Sequence, residues 1–377
     1  MRVPALEPIS PLRFQVEELT EAAVALRAEV RGFLRDELVA GAFVPRCDAW
    51  LSGADPSFSR RLGERGWLGM TWPRRYGGGE RSPLERHVVI EELLAAGAPV
   101  AAHWIADRQT GPLLLRYGSE EQREGFLPGI ARGEVYFAIG MSEPDSGSDL
   151  ASVTTSARKV EGGWRLNGTK VWTSGAHLAH AMITLVRTEP RGEDRHLGLS
   201  QVIVDLKGEG VEVRPIRLMT GEHHFNEVIL SDCFVPDAMV VGALGEGWKQ
   251  VTSELAYERS GPERFLSTFP LLAAVAATGS ADAGRLVASL WALRRLSLAV
   301  AAALQRGEEP ATEAALVKDL GTLFEREVTE RSRAVHGGEP GHPLFEHYRR
   351  ALLEGPGFTL RGGTNEVLRT VVARTLR

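Results

Sequence analysis

Cysteine is scarce in this chain: Cys47 and Cys233 are the only two among 377 residues. So few thiols exclude a disulfide framework, and we expect both to be buried and free. The chain also lacks a strong excess of charge of one sign, since 44 lysines and arginines stand against 49 aspartates and glutamates. This balance is not typical of proteins that bind nucleic acids or anionic membranes.

Long apolar runs are absent as well. One of the longest, residues 298–304, is far shorter than the roughly 20 residues that span a bilayer. The first residues contain no basic segment followed by an apolar core, so no signal peptide is expected. We therefore expect a cytoplasmic protein that does not cross a membrane, with its 377 residues divided among two or three subdomains.

Two common site patterns are missing too. No Gly-x-Gly-x-x-Gly follows a strand, and the nearest approximation, residues 242–247, has the wrong spacing. A dinucleotide site of the Rossmann type is therefore not expected. His223 and His224 have no cysteine or carboxylate at metal-ligand spacing, so we expect no metal site there.

The hydrophobic periodicity changes twice along the chain. Apolar residues recur at helical spacing between Leu26 and Leu38, and again between Leu286 and Leu304. Short β-rich runs lie between them. This order predicts an α+β chain with segregated layers: a helical domain over 1–134, an antiparallel β-sheet domain over 135–241 and a helical bundle over 242–377. Asn167-Gly168 predicts a hairpin turn within the sheet.

The most informative motif follows the first predicted strand. Glu143-Pro144 and then Ser146-Gly147-Ser148-Asp149 predict a tight, hydroxyl-lined turn that exposes backbone N–H groups. Such a turn suits the polar edge and the phosphates of a cofactor. The segment 170–175 adds an aromatic plane and two hydroxyls on a second strand. Either segment alone could be an ordinary turn or a core tryptophan, but the pair favours a cofactor site.

Two further segments carry candidate chemistry. In 254–262, Pro262 has no N–H to bond the carbonyl of Glu258, so the helix should loosen at Glu258-Arg259 and a carboxylate could enter a cavity. The plain alternative is a solvated Glu-Arg pair. In 360–368, Gly362-Gly363 predicts a tight turn before an amphipathic helix, which Thr364 or Asn365 could simply cap.

These segments resemble the acyl-CoA dehydrogenase family, and the resemblance covers nearly the whole chain. It implies an N-terminal helical domain, a middle β domain, a C-terminal four-helix bundle and an FAD cofactor. It assigns FAD contacts to Met141, Ser142, Gly147, Ser148, Trp172, Thr173, Ser174, Gly363, Thr364 and Glu366. Ser148 would contact the cofactor or a thioester substrate, and Arg259 would anchor substrate or order its helix.

The resemblance also implies the chemistry. Most of the family carries its catalytic glutamate in a Glu-Gly-Thr motif near the C-terminus, where Gly362 stands here. A minority carries the base on the earlier helix in a Glu-Arg pair, which Glu258-Arg259 matches. Glu258 would take the α-proton of an acyl-CoA, a hydride would pass from the β-carbon to FAD, and the Gly362 N–H would help polarise the thioester carbonyl. An electron-transfer flavoprotein would receive the electrons.

One segment departs from the family pattern. Many relatives carry Arg-x-x-Phe-Gly after the helix of the base, and a neighbouring subunit uses it to grip the ADP half of FAD. Residues 269–293 contain no such motif. A homo- or hetero-oligomer, dimer or tetramer, is therefore expected. A non-catalytic subunit that depends on a partner chain is one alternative, and an acyl-CoA oxidase is another, because a sequence does not show oxygen access.

Overall fold

The computed structural model describes residues 12–15, 18–336, 340–342 and 344–375, without the side chains of residues 254–258 and 336. The first part of the chain is helical, as predicted. Its helices are α1 Glu21–Val39, α2 Ala49–Ser52, α3 Pro56–Glu64, α4 Pro83–Ala95, α5 Ala101–Ile105, α6 Gly111–Tyr117 and α7 Glu120–Ala131. A π-helical segment, Ala106–Thr110, joins α5 to α6, and such segments are frequent at functional sites.

Helix α4 is buried on almost every side. A capping box between Ser82 and Glu85 starts it, so its first N–H groups have partners. Its buried acid Glu91 accepts hydrogen bonds from Arg27 at 2.8 Å and from Arg294 at 2.5 Å. A carboxylate can be buried at this depth only because two cations compensate it. These ion pairs tie α4 to α1 and to the C-terminal helix that carries Arg294.

Strands from the middle of the chain pair in one sheet. They are β1 Phe137–Gly140, β2 Ser156–Val160, β3 Gly163–Ser174, β4 Ala181–Arg187, β5 Leu199–Asp205, β6 Val211–Ile216, β7 Phe225–Pro236 and β8 Val240–Val241. Their order is β6-β7-β3-β2-β4-β5-β8, and β1 runs parallel to β4. Apart from β1 and one parallel bridge between β2 and β4, the pairing is antiparallel. The sheet is therefore mixed, although mostly antiparallel as predicted.

Asn167-Gly168 does not form the predicted hairpin turn. Both residues lie inside β3, where a bulge shifts the register with β7. The turn between β2 and β3 comes earlier, with Gly162 at a φ of 72°. At Gly168, a Cβ would come within 2.4 Å of the Thr155 hydroxyl. This turn dipeptide therefore marks a bulge and a close approach of two strands.

The last part of the chain is helical again. Its helices are α8 Gly247–Arg259, α9 Phe269–Ala276, α10 Ala281–Gln305, α11 Ala311–His336, α12 Phe345–Phe358 and α13 Asn365–Thr375. Helix α10 is long and apolar enough to cross a membrane, but half of its most apolar window is packed inside the protein, as in the core helix of a soluble protein. Cys47 and Cys233 are both buried and free, as expected.

Shared hydrophobic clusters join the three parts of the chain. Phe58 and Trp67 from the first helices lie in one cluster with Phe265 and Phe324 from the last. A second cluster, centred on Trp72, joins α6 and α7 to β1 and β4. The helical layers and the sheet therefore hold one another in place, and sites can form at their junctions.

The packing around Trp72 allows a direct test of the second cluster. A Cβ at Gly111 would lie 2.0 Å from the Trp72 ring. We expect Gly111→Ala to lower the free energy of unfolding by about 1–3 kcal/mol, because the ring would have to move within a packed core. Urea denaturation measures this change.

Gly125→Ala is the matched control, since Gly125 is exposed in α7 and a Cβ there would have no neighbour within 4 Å. This control should be neutral or should stabilise the protein by about 0.4–1 kcal/mol. Equal denaturation midpoints for the two variants would contradict the packing described for Trp72.

Candidate active site

The two segments predicted to hold FAD lie side by side at one end of the sheet. The Val171 N–H donates to the Ser142 carbonyl at 2.9 Å, so the end of β3 is bonded to the chain that leaves β1. Glu143 and Ser146 then exchange backbone hydrogen bonds of 2.7 and 3.1 Å. These bonds close the tight turn that the sequence predicts. Ser142 and the following hydroxyls are thereby placed beside Trp172.

A buried ion pair between Glu143 and Lys170 fixes this arrangement. The Lys170 ammonium lies 2.8 Å from a Glu143 oxygen, and the two side chains are 0% and 5% exposed. Glu143 also accepts from the backbone N–H groups of Thr154 at 2.7 Å and Thr155 at 2.8 Å. Its carboxylate therefore connects β3, the turn and the start of β2.

The pKa values of the pair follow from its burial. Burial opposes the charge of Glu143, but Lys170 and the hydrogen bonds from residues 154 and 155 outweigh it, and the pKa of Glu143 falls to about 2. Burial lowers the pKa of Lys170 to about 8, against the opposing effect of Glu143. Both groups are charged at neutral pH, so the bond is a true ion pair.

Trp172 has an unusual backbone and an unusual exposure. Its φ is +58°, in the left-handed region that large residues rarely adopt. It lies at a second register shift between β3 and β7, and 56% of its surface is exposed. Its ring packs edge-on against Phe225, with the centroids 5.8 Å apart. A strained backbone that holds an aromatic ring at the surface favours a role in binding.

The polar groups around Trp172 fit a flavin. The Thr173 side chain is buried, and its hydroxyl has no hydrogen-bond partner in the part of the chain that the structure describes. A buried hydroxyl without a partner is costly, and a cofactor oxygen or nitrogen would satisfy it. Ser142 and Ser174 are half-buried beside it, and Met141 is half-buried at the end of β1. The donors and the aromatic plane that an isoalloxazine ring needs are therefore present.

The turn beyond Ser146 is open. Gly147 and Ser148 are both exposed, and a Cβ at Gly147 would meet no atom within 4 Å. Room for a ligand therefore lies directly over the backbone. The predicted roles of Gly147 and Ser148 stay predictions.

The end of α8 and the glycine turn before α13 also come together. The Arg259 guanidinium donates to the Gly362 carbonyl at 3.3 Å. Gly362 and Gly363 have φ values of +70° and +90°, which glycine adopts at little cost. The backbone of Glu258 lies in the last turn of α8, and its side chain is outside the described residues. The structure therefore joins the two segments that the sequence proposes for proton transfer, without showing the carboxylate itself.

A guanidinium takes the space beside Gly362. A Cβ at this position would lie 2.9 Å from a terminal nitrogen of Arg264, whose side chain is buried. A glutamate at residue 362 would have to displace that guanidinium. The structure thus gives a physical reason why glycine stands where most of the family carries its base.

Lys318 also holds the glycine turn in place. Its buried ammonium donates to the Gly363 carbonyl at 2.7 Å and to the Asn365 side chain at 2.8 Å. Burial and the nearby charge of Arg264 together lower the pKa of Lys318 to about 7. The sequence analysis missed Lys318. The available signal was a lysine directly after the apolar run 314–317.

Thr364 shows the plainer of its two predicted roles, that of a helix cap. The Thr364 hydroxyl accepts from the Val367 N–H at 3.4 Å, which caps the start of α13. Glu366 is exposed in the first turn, and hydrogen bonds, including one from Thr364, lower its pKa. Their contacts with FAD, and that of Gly363, stay predictions.

A buried charged cluster lies between the sheet and the last helices. Asp48, His224 and Glu354 have potential ligand atoms within 4.8 Å of one another, which sequence spacing could not show. Arg361 donates to both oxygens of Asp48, at 2.8 and 2.9 Å, and its fixed positive charge opposes a cation. Burial raises the pKa of Glu354. The cluster is therefore organised as an ion-pair network around Arg361.

Comparisons with known proteins identify the chain. Residues 20–134, 138–233 and 279–377 match the N-terminal, middle and C-terminal domains of acyl-CoA dehydrogenase. This chain belongs to the acyl-CoA dehydrogenase family. It is accordingly an FAD-dependent oxidoreductase that dehydrogenates acyl-CoA thioesters, and the fold and cofactor expected from the sequence are confirmed.

Two relatives from Mycobacterium tuberculosis match most of this chain. Acyl-CoA dehydrogenase IpdE1 of Mycobacterium tuberculosis is 35% identical over 92% of this chain and 95% of its own length. FadE34 of the same organism is also 35% identical, over 96% of this chain, but the chain spans only 51% of that protein. Among solved structures, the Tcur3481-Tcur3483 steroid ACAD is 31% identical, with a TM-score of 0.84 over 94% of this chain and 97% of that one. The ChsE4-ChsE5 complex of M. tuberculosis is 29% identical, with a TM-score of 0.80 over 96% and 98%.

The ion pair beneath the flavin segments gives a stability prediction. Lys170→Met would leave the Glu143 carboxylate buried without its cation, and we expect a loss of about 3–5 kcal/mol in the free energy of unfolding at pH 7. Lys159→Met is the matched control, since Lys159 pairs with Asp237 at the surface, where both side chains are about half exposed. This control should cost less than about 1 kcal/mol.

The pH dependence of the Lys170→Met variant tests the cause. Without Lys170, the folded-state pKa of Glu143 rises above its unfolded value, so the variant gains stability relative to wild type as the pH falls. Denaturation at pH 7 and pH 5 should show a smaller deficit at pH 5. A deficit that is independent of pH would mean that lost packing, and not a stranded charge, destabilises the variant.

Proposed function

We propose that this chain is the base-carrying subunit of an acyl-CoA dehydrogenase for bulky, ring-containing acyl groups, and that Glu258 removes the α-proton. The observation that carries the proposal is the junction of α8 with the glycine turn. The Arg259–Gly362 hydrogen bond brings the residue next to Glu258 onto the turn that would contact the thioester. A carboxylate in the commoner place, at residue 362, would lie against the Arg264 guanidinium and form an ion pair with it.

We assign separate roles in FAD binding and proton transfer to the residues of this site. Ser142, Thr173 and Ser174 would hold the polar edge of FAD, and Trp172 would flank its ring. Gly362 would present its N–H to the thioester carbonyl, which acidifies the α-carbon by stabilising the developing enolate oxygen. Glu258 would then accept the α-proton. When bound, FAD supplies the acceptor for the two electrons that leave with the β-hydrogen.

A ring-containing substrate is supported by the relatives. The Tcur3481-Tcur3483 protein is a steroid ACAD, and it resembles this chain over almost its whole length. Cytoplasmic location and electron transfer to an electron-transfer flavoprotein complete the proposal, the latter because this acceptor is typical of the family.

A second, different chain is proposed to complete the FAD site. The segment between α9 and α10 has no Arg-x-x-Phe-Gly: Ser280 caps α10 there, and small residues follow. Trp291 and Val287 on α10 are 62% and 47% exposed, so this helix presents two large apolar side chains to the surface. The ChsE4-ChsE5 complex has two named components. A hetero-oligomer would cover this face and supply the missing grip on the ADP half.

Glu258→Gln tests the assignment of the base. The variant should retain FAD, because an amide of the same size disturbs no cofactor contact, but its turnover should fall by about 10²–10⁴-fold. The visible flavin bands should bleach when an acyl-CoA is added anaerobically to wild type and should persist in the variant. Glu246→Gln, at the exposed start of α8, is the control and should bleach normally. Undiminished turnover in Glu258→Gln would refute the assignment.

The FAD content of the purified chain tests the need for a partner. Expressed alone, the chain should hold clearly less than one FAD per protomer. Co-expression with a related chain that carries Arg-x-x-Phe-Gly should give a stable complex with a full FAD complement for each heterodimer. Full FAD occupancy in a homo-oligomer of this chain alone would exclude the second-chain proposal and leave the base assignment intact.

A further inference from the structure

A cleft of about 420 Å³ opens between the first and last helical parts, outside the flavin segments. Its walls come from α4, α6 and α10, and one side is closed by residues 260–262, directly after α8. Its volume lies in the range of sites that bury a small ligand. Apolar side chains line it, among them Trp72 and Leu304. Arg86, His87, Arg108 and Arg116 line it as well.

The cleft adjoins the candidate active site. Ser260 and Pro262 line it, and they follow Arg259, which bonds to the glycine turn. Its wall is rigid there, because the Ser297 hydroxyl donates to the Ser260 carbonyl at 2.5 Å. The backbone of Glu258 lies in the last turn of α8, just before the residues that line the cleft. The cleft is therefore placed to receive the part of an acyl group farthest from the thioester.

Two of the arginines in the cleft have carboxylate partners. Arg108 pairs with Glu263 at 2.6 Å, and both side chains are almost fully buried. Arg86 pairs with Asp107 at 3.1 Å. These pairs shape the wall and leave little net charge on it.

Arg116 and His87 are available to a ligand. Arg116 is exposed and lies over the Tyr117 ring at 5.3 Å, and no carboxylate of the described ranges pairs with it. His87 is 5% exposed, and its Nε2 has no hydrogen-bond partner among the described residues. Burial lowers the pKa of His87 to about 4, and the charges around it are Glu91, which opposes this shift, and Arg294, Arg108 and Arg27, which add to it. His87 is neutral at physiological pH, and in the tautomer with the proton on Nε2 it can donate one hydrogen bond to a ligand oxygen.

We propose that this cleft binds the distal end of the acyl group, and that it selects acyl groups whose distal end carries an oxygen, held by Arg116 and the Nε2 of His87. This inference rests on the proposed function. The physical reason is the hydrogen bond of His87. A plain hydrocarbon would leave its buried Nε2 without a hydrogen-bond partner, whereas the oxygen of an oxygenated ring would supply one. Sites built to hydrogen-bond a substrate group discriminate strongly against analogues that lack it. A ring ketone and a ring carboxylate share this chemistry, and the test separates them.

The test uses the FAD-loaded enzyme, with its partner chain where one is needed. Three thioesters of matched shape serve as probes: 3-cyclohexylpropanoyl-CoA, 3-(4-oxocyclohexyl)propanoyl-CoA and 3-(4-carboxycyclohexyl)propanoyl-CoA, each also with a linker two carbons longer. We expect kcat/KM for at least one oxygenated probe to exceed that of the hydrocarbon probe tenfold or more. A preference for the ketone identifies a neutral acceptor, and a preference for the carboxylate identifies an anion.

Arg116→Met and His87→Gln should each reduce this preference several-fold. Arg75→Met is the matched control, because Arg75 lies over the Tyr76 ring at 4.6 Å, much as Arg116 lies over Tyr117, but is not part of the cleft. It should keep the wild-type preference. Thermal unfolding checks that each variant is folded.

The outcomes separate the two proposals. Equal kcat/KM for all three probes at both linker lengths, or a preference that survives in Arg116→Met and His87→Gln alike, would overturn the cleft assignment and leave dehydrogenation standing. Turnover of the hydrocarbon probes alone would likewise overturn the cleft assignment and leave dehydrogenation standing. Neither bleaching nor turnover with any of the thioesters would contradict the proposed function, and the cleft assignment with it.

Discussion

The buried ion pair of Glu143 and Lys170 is the constraint on which the flavin side of the site depends. It bonds β3, the turn after β1 and the chain before β2 through one carboxylate. Because this ion pair holds the turn, the neighbouring end of β3 can keep a strained residue, Trp172 at a positive φ. It can also keep the Thr173 hydroxyl, which has no hydrogen-bond partner among the described residues. Such features persist only where the surrounding structure holds them. The same ion pair therefore stabilises the fold and holds the groups that would bind a ligand.

The other half of the site depends on cations. Arg259, Arg264 and Lys318 surround the glycine turn, and two of them bond its carbonyls directly. Carbonyls that accept from buried cations hold the turn in one conformation, which fixes where its N–H groups point. The turn can then serve as a rigid donor to a substrate oxygen, as electrostatic stabilisation of a developing charge requires.

Much of this could be predicted from the sequence, and the failures have physical reasons. The order of layers followed from periodicity, and the tight turn after β1 from local turn chemistry, because both depend on neighbours in the chain. The assignment of the two flavin segments to FAD rests on the family resemblance. Asn167-Gly168 misled because a bulge within a long strand uses the same residues as a turn. Lys318, Arg264 and the Asp48–Arg361 pair were missed because their partners lie far away in the sequence. The cleft beside α8 has the same origin, since five separate segments build it.

The same cations bear on where a catalytic base can reside. A carboxylate attached at residue 362 would lie against the Arg264 guanidinium, with Arg259 and Lys318 on the neighbouring carbonyls. Opposite charges this close hold a carboxyl pKa low, and a low pKa makes a weak base. A glutamate introduced at 362 would thus form an ion pair rather than abstract a proton, unless Arg264 were also replaced. The cations around the turn therefore account for both features, glycine at this position and a base elsewhere. They stabilise an oxyanion, but they would make a carboxylate at the turn a poor general base.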